Sequence, residues 1–99
     1  MVVYLDARGC YIDDEIAAFG DLAVIHGRYR PLVERALAAG ARGILVAHNH
    51  PSGAARPSSN DVRFTRALLA LGRALDLRIH DHLVVTATAI FSIRQRSIL

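Results

Sequence analysis

Two histidines and one aspartate have the types and the spacing of metal ligands. His48 and His50 follow the apolar run at positions 43–47, and ten residues separate His50 from Asp61. On an extended backbone, residues i and i+2 point to the same side, so both imidazoles can reach one cation. Two imidazoles and one carboxylate form a three-ligand zinc set that leaves a fourth position to water. The pattern therefore predicts a zinc site.

The segment between the histidines and the aspartate has the composition of a loop. Pro51, Gly53 and Pro57 exclude a helix there, and a helix is predicted to open after Ser58. Ser58 and Asp61 also fit a helix-capping pair, and the helix dipole favours a carboxylate in the first turn. Taken alone, Asp61 is better explained as a cap. The combination with two histidines favours a ligand, and one carboxylate can have both roles.

The other three histidines are weaker candidates. His80 and His82 form a second His-x-His pair in a predicted closing strand. His82 is better explained there as a packed or solvated side chain with Asp81 as its partner. His26 has no partner visible in the sequence.

Composition limits the class of protein. Ninety-nine residues, of which 53% are hydrophobic, predict one compact domain. There is no apolar run of the ~18 residues that a membrane span requires and no signal segment, so a cytoplasmic protein without membrane contact is expected. Because Cys10 is the only cysteine, a disulfide within the chain and a thiolate-rich zinc site are excluded. A metal must be held by nitrogen and oxygen.

The basic residues give little support to nucleic-acid binding. The formal net charge is +3, and all twelve basic residues are arginines spread along the chain with few aromatic residues between them. Dense basic runs and helix-turn-helix signals are missing. A solvated, arginine-rich surface is the favoured interpretation.

The first part of the chain predicts a hairpin and a helix. Residues 2–5 form a strand, residues 6–9 a turn, and a second strand starts at Cys10; a further extended stretch covers 15–19. A helix is predicted over 29–39, ended by Gly40. Its apolar face consists of Leu32, Val33, Ala36 and Leu37.

The second part alternates strands with a helix. Residues 43–47 predict a strand buried on both faces, and strands over 81–85 and 90–93 close the chain. A helix from Ser59 to about Leu75 is expected between them. Its buried side is formed by Phe64, Leu68, Leu69, Leu71 and Leu75. The order of elements predicts an α/β sandwich, a central mixed sheet flanked by helices, with ligands at the end of the buried strand.

The motif resembles a known family. The matching residues are His48-Asn49-His50-Pro51-Ser52-Gly53, Pro57, Ser58, Asp61 and Thr65, and they closely resemble the RadC-like branch of the JAB/MPN domains. The zinc signature of that superfamily, the JAMM motif, is His-x-His, seven residues, Ser, two residues, Asp, and it matches at every ligand position. The segments 81–85 and 4–6 resemble the family's Asp-His strand and opening hairpin. The resemblance implies an MPN/JAB-like, cytidine-deaminase-like sandwich as a single domain over residues 1–99.

The resemblance also implies site roles. His48, His50 and Asp61 would bind Zn²⁺, and Ser58 would be the catalytic residue that hydrogen-bonds the activated water or the developing oxyanion. Active members hydrolyse peptide or isopeptide bonds. Zinc lowers the pKa of water towards ~7 and polarises the scissile carbonyl, and a hydroxyl donor helps to stabilise the tetrahedral oxyanion.

One family residue has no counterpart. The general-base glutamate would fall about three residues upstream of Met1, and a missing base costs ~10²–10⁴ in rate. Glu15 and Glu34 are the only glutamates, and neither matches that position. The chain is then an N-terminally truncated fragment, a sequence whose start is assigned too far downstream, or a degenerate copy.

Three functions stay open on the sequence alone. The first is a zinc metallopeptidase-like hydrolase with a peptide-like substrate. The second is a catalytically silent zinc-binding module that docks a protein partner. The third is the DNA-repair association that the RadC name carries. Exposed strand edges in so short a domain also predict a homodimer. A nucleoside deaminase is excluded because no Pro-Cys-x-x-Cys pair exists, and His48-Asn49-His50 is too compact for an HNH nuclease.

Overall fold

The computed structural model describes residues 1–15, 29–49 and 59–95. Its elements in chain order are β1 (Val2–Leu5), β2 (Tyr11–Glu15), α1 (Tyr29–Ala38), β3 (Gly43–Asn49), α2 (Ser59–Leu75), β4 (Arg78–Val85) and β5 (Ile90–Ser92). The predicted succession of strand pair, helix, strand, helix and strand pair is confirmed. Of the extended stretch predicted over 15–19, only Glu15 is described, as the last residue of β2; the rest lies outside the described residues.

The five strands form one mixed sheet in the order β2-β1-β3-β4-β5. Strands β3 and β4 are parallel, and the other three neighbouring pairs are antiparallel. Parallel neighbours need a crossover, and α2 supplies it. The predicted α/β fold with a central mixed sheet is confirmed. No helix of the described part of the chain is both long and apolar enough to cross a membrane.

One face of the sheet carries the core. Side chains from β1, β3 and both helices share a single hydrophobic cluster that includes Val2, Tyr4, Leu32, Ala36, Ile44, Val46, Phe64 and Leu68. On β3, Ile44 and Val46 are buried, whereas Leu45 and Ala47 are only half-buried. The prediction that β3 is buried on both faces is therefore wrong for its second face, at least within the described residues.

Two predicted core residues are exposed. Leu37 is 54% exposed and Leu75 is 38% exposed. Leu37 lies five residues after the buried Leu32, which turns it by roughly 140° around a helix with 3.6 residues per turn. Leu75 is the last residue of α2, at the edge of the packed region.

Glycine ends α1 as predicted. Gly40 has φ +68°, its N–H donates to the Leu37 carbonyl at 3.1 Å, and Ala41 N–H donates to the Ala36 carbonyl at 2.9 Å. This Schellman arrangement satisfies two terminal carbonyls and needs a left-handed residue, which glycine adopts at the lowest cost. The helix ends at Ala38, one residue earlier than predicted.

Strand β4 contains a bulge. Ile44 pairs with Ile79 and Leu45 with Asp81, so His80 is an extra residue in β4. As a result Ile79 and His82, three positions apart, are both buried, although side chains alternate in a regular strand. Strand β4 begins three residues before the predicted position 81, and it is an interior strand between β3 and β5.

Candidate metal centre

Three side chains converge where β3 ends and α2 begins. His48 lies near the end of β3, Asp61 lies in the first turn of α2, and His82 lies on β4 opposite Val46. Each offers one ligand atom, and these atoms lie within 4.8 Å of one another. Asp61 is 3% exposed and His82 is 1% exposed. A buried group of two imidazoles and one carboxylate could hold a metal ion.

The spacing of His48 and Asp61 fits a shared zinc ion. The distance from His48 Nε2 to Asp61 Oδ1 is 3.4 Å. That is longer than an ordinary N–H···O hydrogen bond. Two atoms bound to one tetrahedral zinc ion at about 2.0–2.1 Å lie about 3.3–3.4 Å apart. The observed separation is therefore that of two neighbouring ligands on one tetrahedral centre.

Thr65 determines the proton position on His82. The Thr65 hydroxyl donates to the Asp61 carbonyl oxygen at 2.8 Å. Thr65 Oγ1 also lies 2.6 Å from His82 Nδ1. A hydroxyl has one proton, and here the carbonyl takes it, so His82 Nδ1–H must be the donor to Thr65.

His82 in turn determines the tautomer of His48. His82 Nε2 lies 2.8 Å from His48 Nδ1. Burial disfavours a charged imidazolium, and a neutral ring protonated at Nδ1 has a bare Nε2 that accepts from His48 Nδ1–H. His48 Nε2 is then unprotonated and lies beside Asp61. This is the tautomer that binds a metal, oriented by a partner at its other nitrogen.

Aromatic packing holds the His82 ring in place. Phe64 contacts it edge-on, with ring centroids 5.9 Å apart, and Tyr29 stacks on Phe64 at 5.4 Å. Phe64 is almost fully buried. The His82 imidazole is therefore packed against the core rather than exposed to solvent.

The comparison with known families agrees with this geometry. The model of the RadC-like JAB domain family matches residues 1–98. The chain belongs to this family. It is 44% identical over 93 residues to a UPF0758 protein of Burkholderia mallei (strain SAVP1), an alignment that covers 94% of this chain and 34% of that protein. It is 45% identical over 92 residues to a UPF0758 protein of Burkholderia cenocepacia (strain HI2424), covering 93% of this chain and 36% of that protein. The chain spans about a third of the length of the curated relatives that it matches.

Two predicted site residues of this RadC-like domain lie outside the described residues. These are His50 and Ser58, and their roles stay predictions. His26, for which no role was predicted, also lies outside. Of the predicted ligands, His48 and Asp61 are described and lie together.

His82 is packed, which is one of the two predicted alternatives, but its predicted partner is wrong. Asp81 was expected to be its partner, but the Asp81 carboxylate accepts the backbone N–H of His82 at 2.7 Å, not its ring. The same carboxylate accepts from the Ser92 hydroxyl and from the Arg94 backbone N–H, so it links β4 to the chain at and after β5. The imidazole instead contacts Thr65 and His48. Thr65 belongs to the motif, but its link to a residue 17 positions away has no signal in the sequence.

The two glutamates lie elsewhere. Glu15 accepts a hydrogen bond from the Tyr4 hydroxyl at 3.1 Å and lies 3.5 Å from Arg35 Nε, on the edge strand β2. Burial, and then the charge of Glu15, raise the pKa of Tyr4. Glu34 forms an exposed ion pair with Arg30. Neither glutamate is positioned by these contacts as a base for the metal centre.

Proposed function

We propose that this RadC-like JAB domain is a zinc-dependent hydrolase of peptide or isopeptide bonds, with His48, His50 and Asp61 as the protein ligands. The observation that supports this most is the 3.4 Å separation of His48 Nε2 and Asp61 Oδ1. The hydrogen bonds that leave His48 Nε2 unprotonated support it independently.

The residues of the site would hold the ion and the substrate in fixed positions. When bound, zinc polarises a carbonyl and lowers the pKa of water towards ~7. His48 presents an unprotonated Nε2, and Asp61 supplies a carboxylate from the helix start. Their side chains are only 10% and 4% exposed, so charge interactions at this site are weakly screened by water. Ser58 would donate a hydrogen bond from its hydroxyl group to the developing oxyanion.

The start of strand β1 indicates where a general base would lie relative to the metal centre. Met1 and Ala47 exchange two backbone hydrogen bonds, of 2.7 Å and 2.9 Å. In this antiparallel register, a residue preceding Met1 on the same strand would lie beside His48. A glutamate carried by that strand would therefore be close to the site. Without such a base, residues 1–99 are expected to turn over ~10²–10⁴ times more slowly.

Metal analysis tests the ligand set. Purified protein should contain nearly one zinc per chain by mass spectrometry, and His50→Ala should lose it. His80→Ala is the matched control, because it removes a histidine that lies outside the cluster. Equal zinc in the wild type and in His50→Ala would contradict the assignment.

Hydrolysis needs its own test. Pools of fluorogenic peptides and isopeptides should be cleaved by the zinc-loaded protein, more slowly by Ser58→Ala, and not after chelation. Ser58→Ala should keep its zinc, which separates a catalytic role from a ligand role. Full zinc occupancy with no cleavage of either pool, in an assay sensitive enough to detect turnover slowed ~10²–10⁴-fold by a missing base, would reject the hydrolase and favour a metal-binding module that docks proteins.

A further inference from the structure

A second pocket lies at the other end of the sheet. Its lining is formed by Asp6, Ala7, Arg8, Gly9, Arg42, Arg78 and His80, and its volume is about 360 Å³. Arg42 immediately precedes β3, and Arg78 is the first residue of β4. His48 lies five positions after Gly43 on β3, a distance of about 16 Å along an extended strand. The pocket is therefore distinct from the metal centre.

Three arginines line this pocket, and among the described residues none of them has an ion-pair partner. Within the described ranges, no carboxylate lies within ion-pair distance of Arg8, Arg42 or Arg78. By contrast, Arg30 and Arg35 on α1 each pair with acidic residues. Like charges around one cavity repel each other, and an anion bound between them removes that repulsion.

The single carboxylate in the lining has a structural role. Asp6 Oδ1 accepts the backbone N–H of Arg8 at 2.8 Å and that of Cys10 at 2.9 Å. This is the usual way in which aspartate closes a turn. Gly9, with φ +83°, completes the same turn. The net charge of the lining stays positive because three arginines outnumber one aspartate.

Backbone hydrogen bonds hold the arginines in place. Arg42 N–H donates to the Leu5 carbonyl and Arg78 N–H to the Arg42 carbonyl, both at 2.8 Å. The two residues therefore start neighbouring parallel strands at a fixed spacing. A planar guanidinium with several parallel donors matches the oxygens of a phosphate group.

His80, the bulge residue, lies close to the positive charges around this pocket. Burial lowers the pKa of His80, and the charges of Arg78 and Arg94 lower it further. His80 can be placed here because Gly43 has no side chain: a Cβ at position 43 would lie 2.5 Å from His80 Nε2. A cavity of this size is within the range of small-ligand sites.

We propose that this pocket binds a phosphate group, held by Arg8, Arg42 and Arg78. The inference does not depend on the proposed hydrolase activity, because the two sites lie at opposite ends of β3. The phosphate could belong to a free small molecule or to the end of a nucleotide chain, and the lining recognises the chemistry that they share.

Calorimetry on the metal-free chain tests this proposal. Pyrophosphate is titrated in the presence of EDTA, so that it cannot bind through zinc. Binding should weaken about 10- to 100-fold in Arg42→Gln and in Arg78→Gln, the usual effect of losing a charge-assisted hydrogen bond. Arg30→Gln is the matched control, since it removes the same charge from an exposed arginine that already has a partner.

Two probes then distinguish the sources of the phosphate. Ribose 5-phosphate represents a small metabolite, and a 5′-phosphorylated dinucleotide represents a nucleic-acid end; the tighter of the two identifies the source. Circular dichroism confirms that each variant is folded. No heat with any probe at millimolar concentration would reject the site, and so would an equal loss of binding in Arg30→Gln.

Discussion

The two histidines of β4 lie two residues apart but belong to different environments. His82 is 1% exposed and hydrogen-bonds Thr65 and His48 at the metal centre. His80 is half-buried beside Gly43 and lines the pocket that contains Arg8, Arg42 and Arg78, the arginine pocket. In a regular strand both would point to the same side. The bulge separates them, so His82 lies in the cluster that could hold a metal ion, whereas His80 lines the pocket in which we propose that an anion binds.

Removing each histidine in turn gives the largest expected contrast. His82→Asn should weaken zinc binding about 10- to 100-fold, as the loss of a ligand's hydrogen-bond partner typically does. His80→Asn should bind zinc like the wild type. Competition with a chromophoric chelator measures both affinities. If the two variants bind zinc equally, the hydrogen bond between His82 and His48 has no role in holding the metal.

A smaller effect is expected at the end of the hydrogen-bond chain. Thr65→Val keeps the shape of the side chain but removes the hydroxyl group that hydrogen-bonds the Asp61 carbonyl and His82 Nδ1. We expect a loss of about 1–3 kcal/mol in the free energy of unfolding and a weaker zinc affinity.

Thr65→Ser tests the same hydrogen bonds by rescue. Serine retains the hydroxyl, so zinc affinity should return close to that of the wild type, and ¹⁵N chemical shifts of the His48 ring should again show Nδ1 protonated. A Thr65→Val protein whose His48 tautomer is unchanged would argue against the chain of hydrogen bonds.

Gly43→Ala should affect only the His80 side of the comparison. The new Cβ would come within 2.5 Å of the His80 ring, which must move. Because the contact is with the end of a side chain, the free energy of unfolding should fall by only about 1 kcal/mol. Pyrophosphate binding should change, whereas zinc affinity should not. Chemical denaturation together with both binding assays measures this.

The smallest expected effect is the contribution of His80 to the pH dependence of folding stability. Because its folded-state pKa is lowered, the unfolded chain binds a proton more readily, so folding stability from this group decreases as the pH falls below about 6.5. After burial, the charges of Arg78 and Arg94 contribute to this lowering of the pKa; Asp6, Arg8 and Arg42 line the same pocket. Urea unfolding between pH 8 and 5 should decline less steeply for His80→Asn than for the wild type. Identical slopes would show that His80 titrates as it does in the unfolded chain.

Local signals made much of the fold predictable. Helix α2 has the predicted bounds, and Gly40 ends α1 because its left-handed conformation is a property of a few adjacent residues. The pairing of His48 with Asp61 was also predictable, since only nine residues of sequence separate the end of β3 from the start of α2. Such features depend on residues that are close in the chain.

The position of His82 depends on residues far apart in the chain. Its contact with His48 spans 34 positions and needs the parallel pairing of β3 with β4. Strict alternation of side chains along a strand predicts that His80 and His82 lie on one face. Nothing in the sequence indicates the extra residue that forms the bulge. The arginine pocket was missed for a similar reason: Arg8, Arg42 and Arg78 are scattered in sequence and meet only when three strands are aligned.

Because of the bulge, the sequence at one end of β4 can change without affecting the other end. Since Ile79 and Asp81 already face consecutive residues of β3, a chain without residue 80 could close the ladder and leave His82 where it is. The pocket in which we propose that an anion binds could then be altered or lost, while His48 and His82 keep their positions.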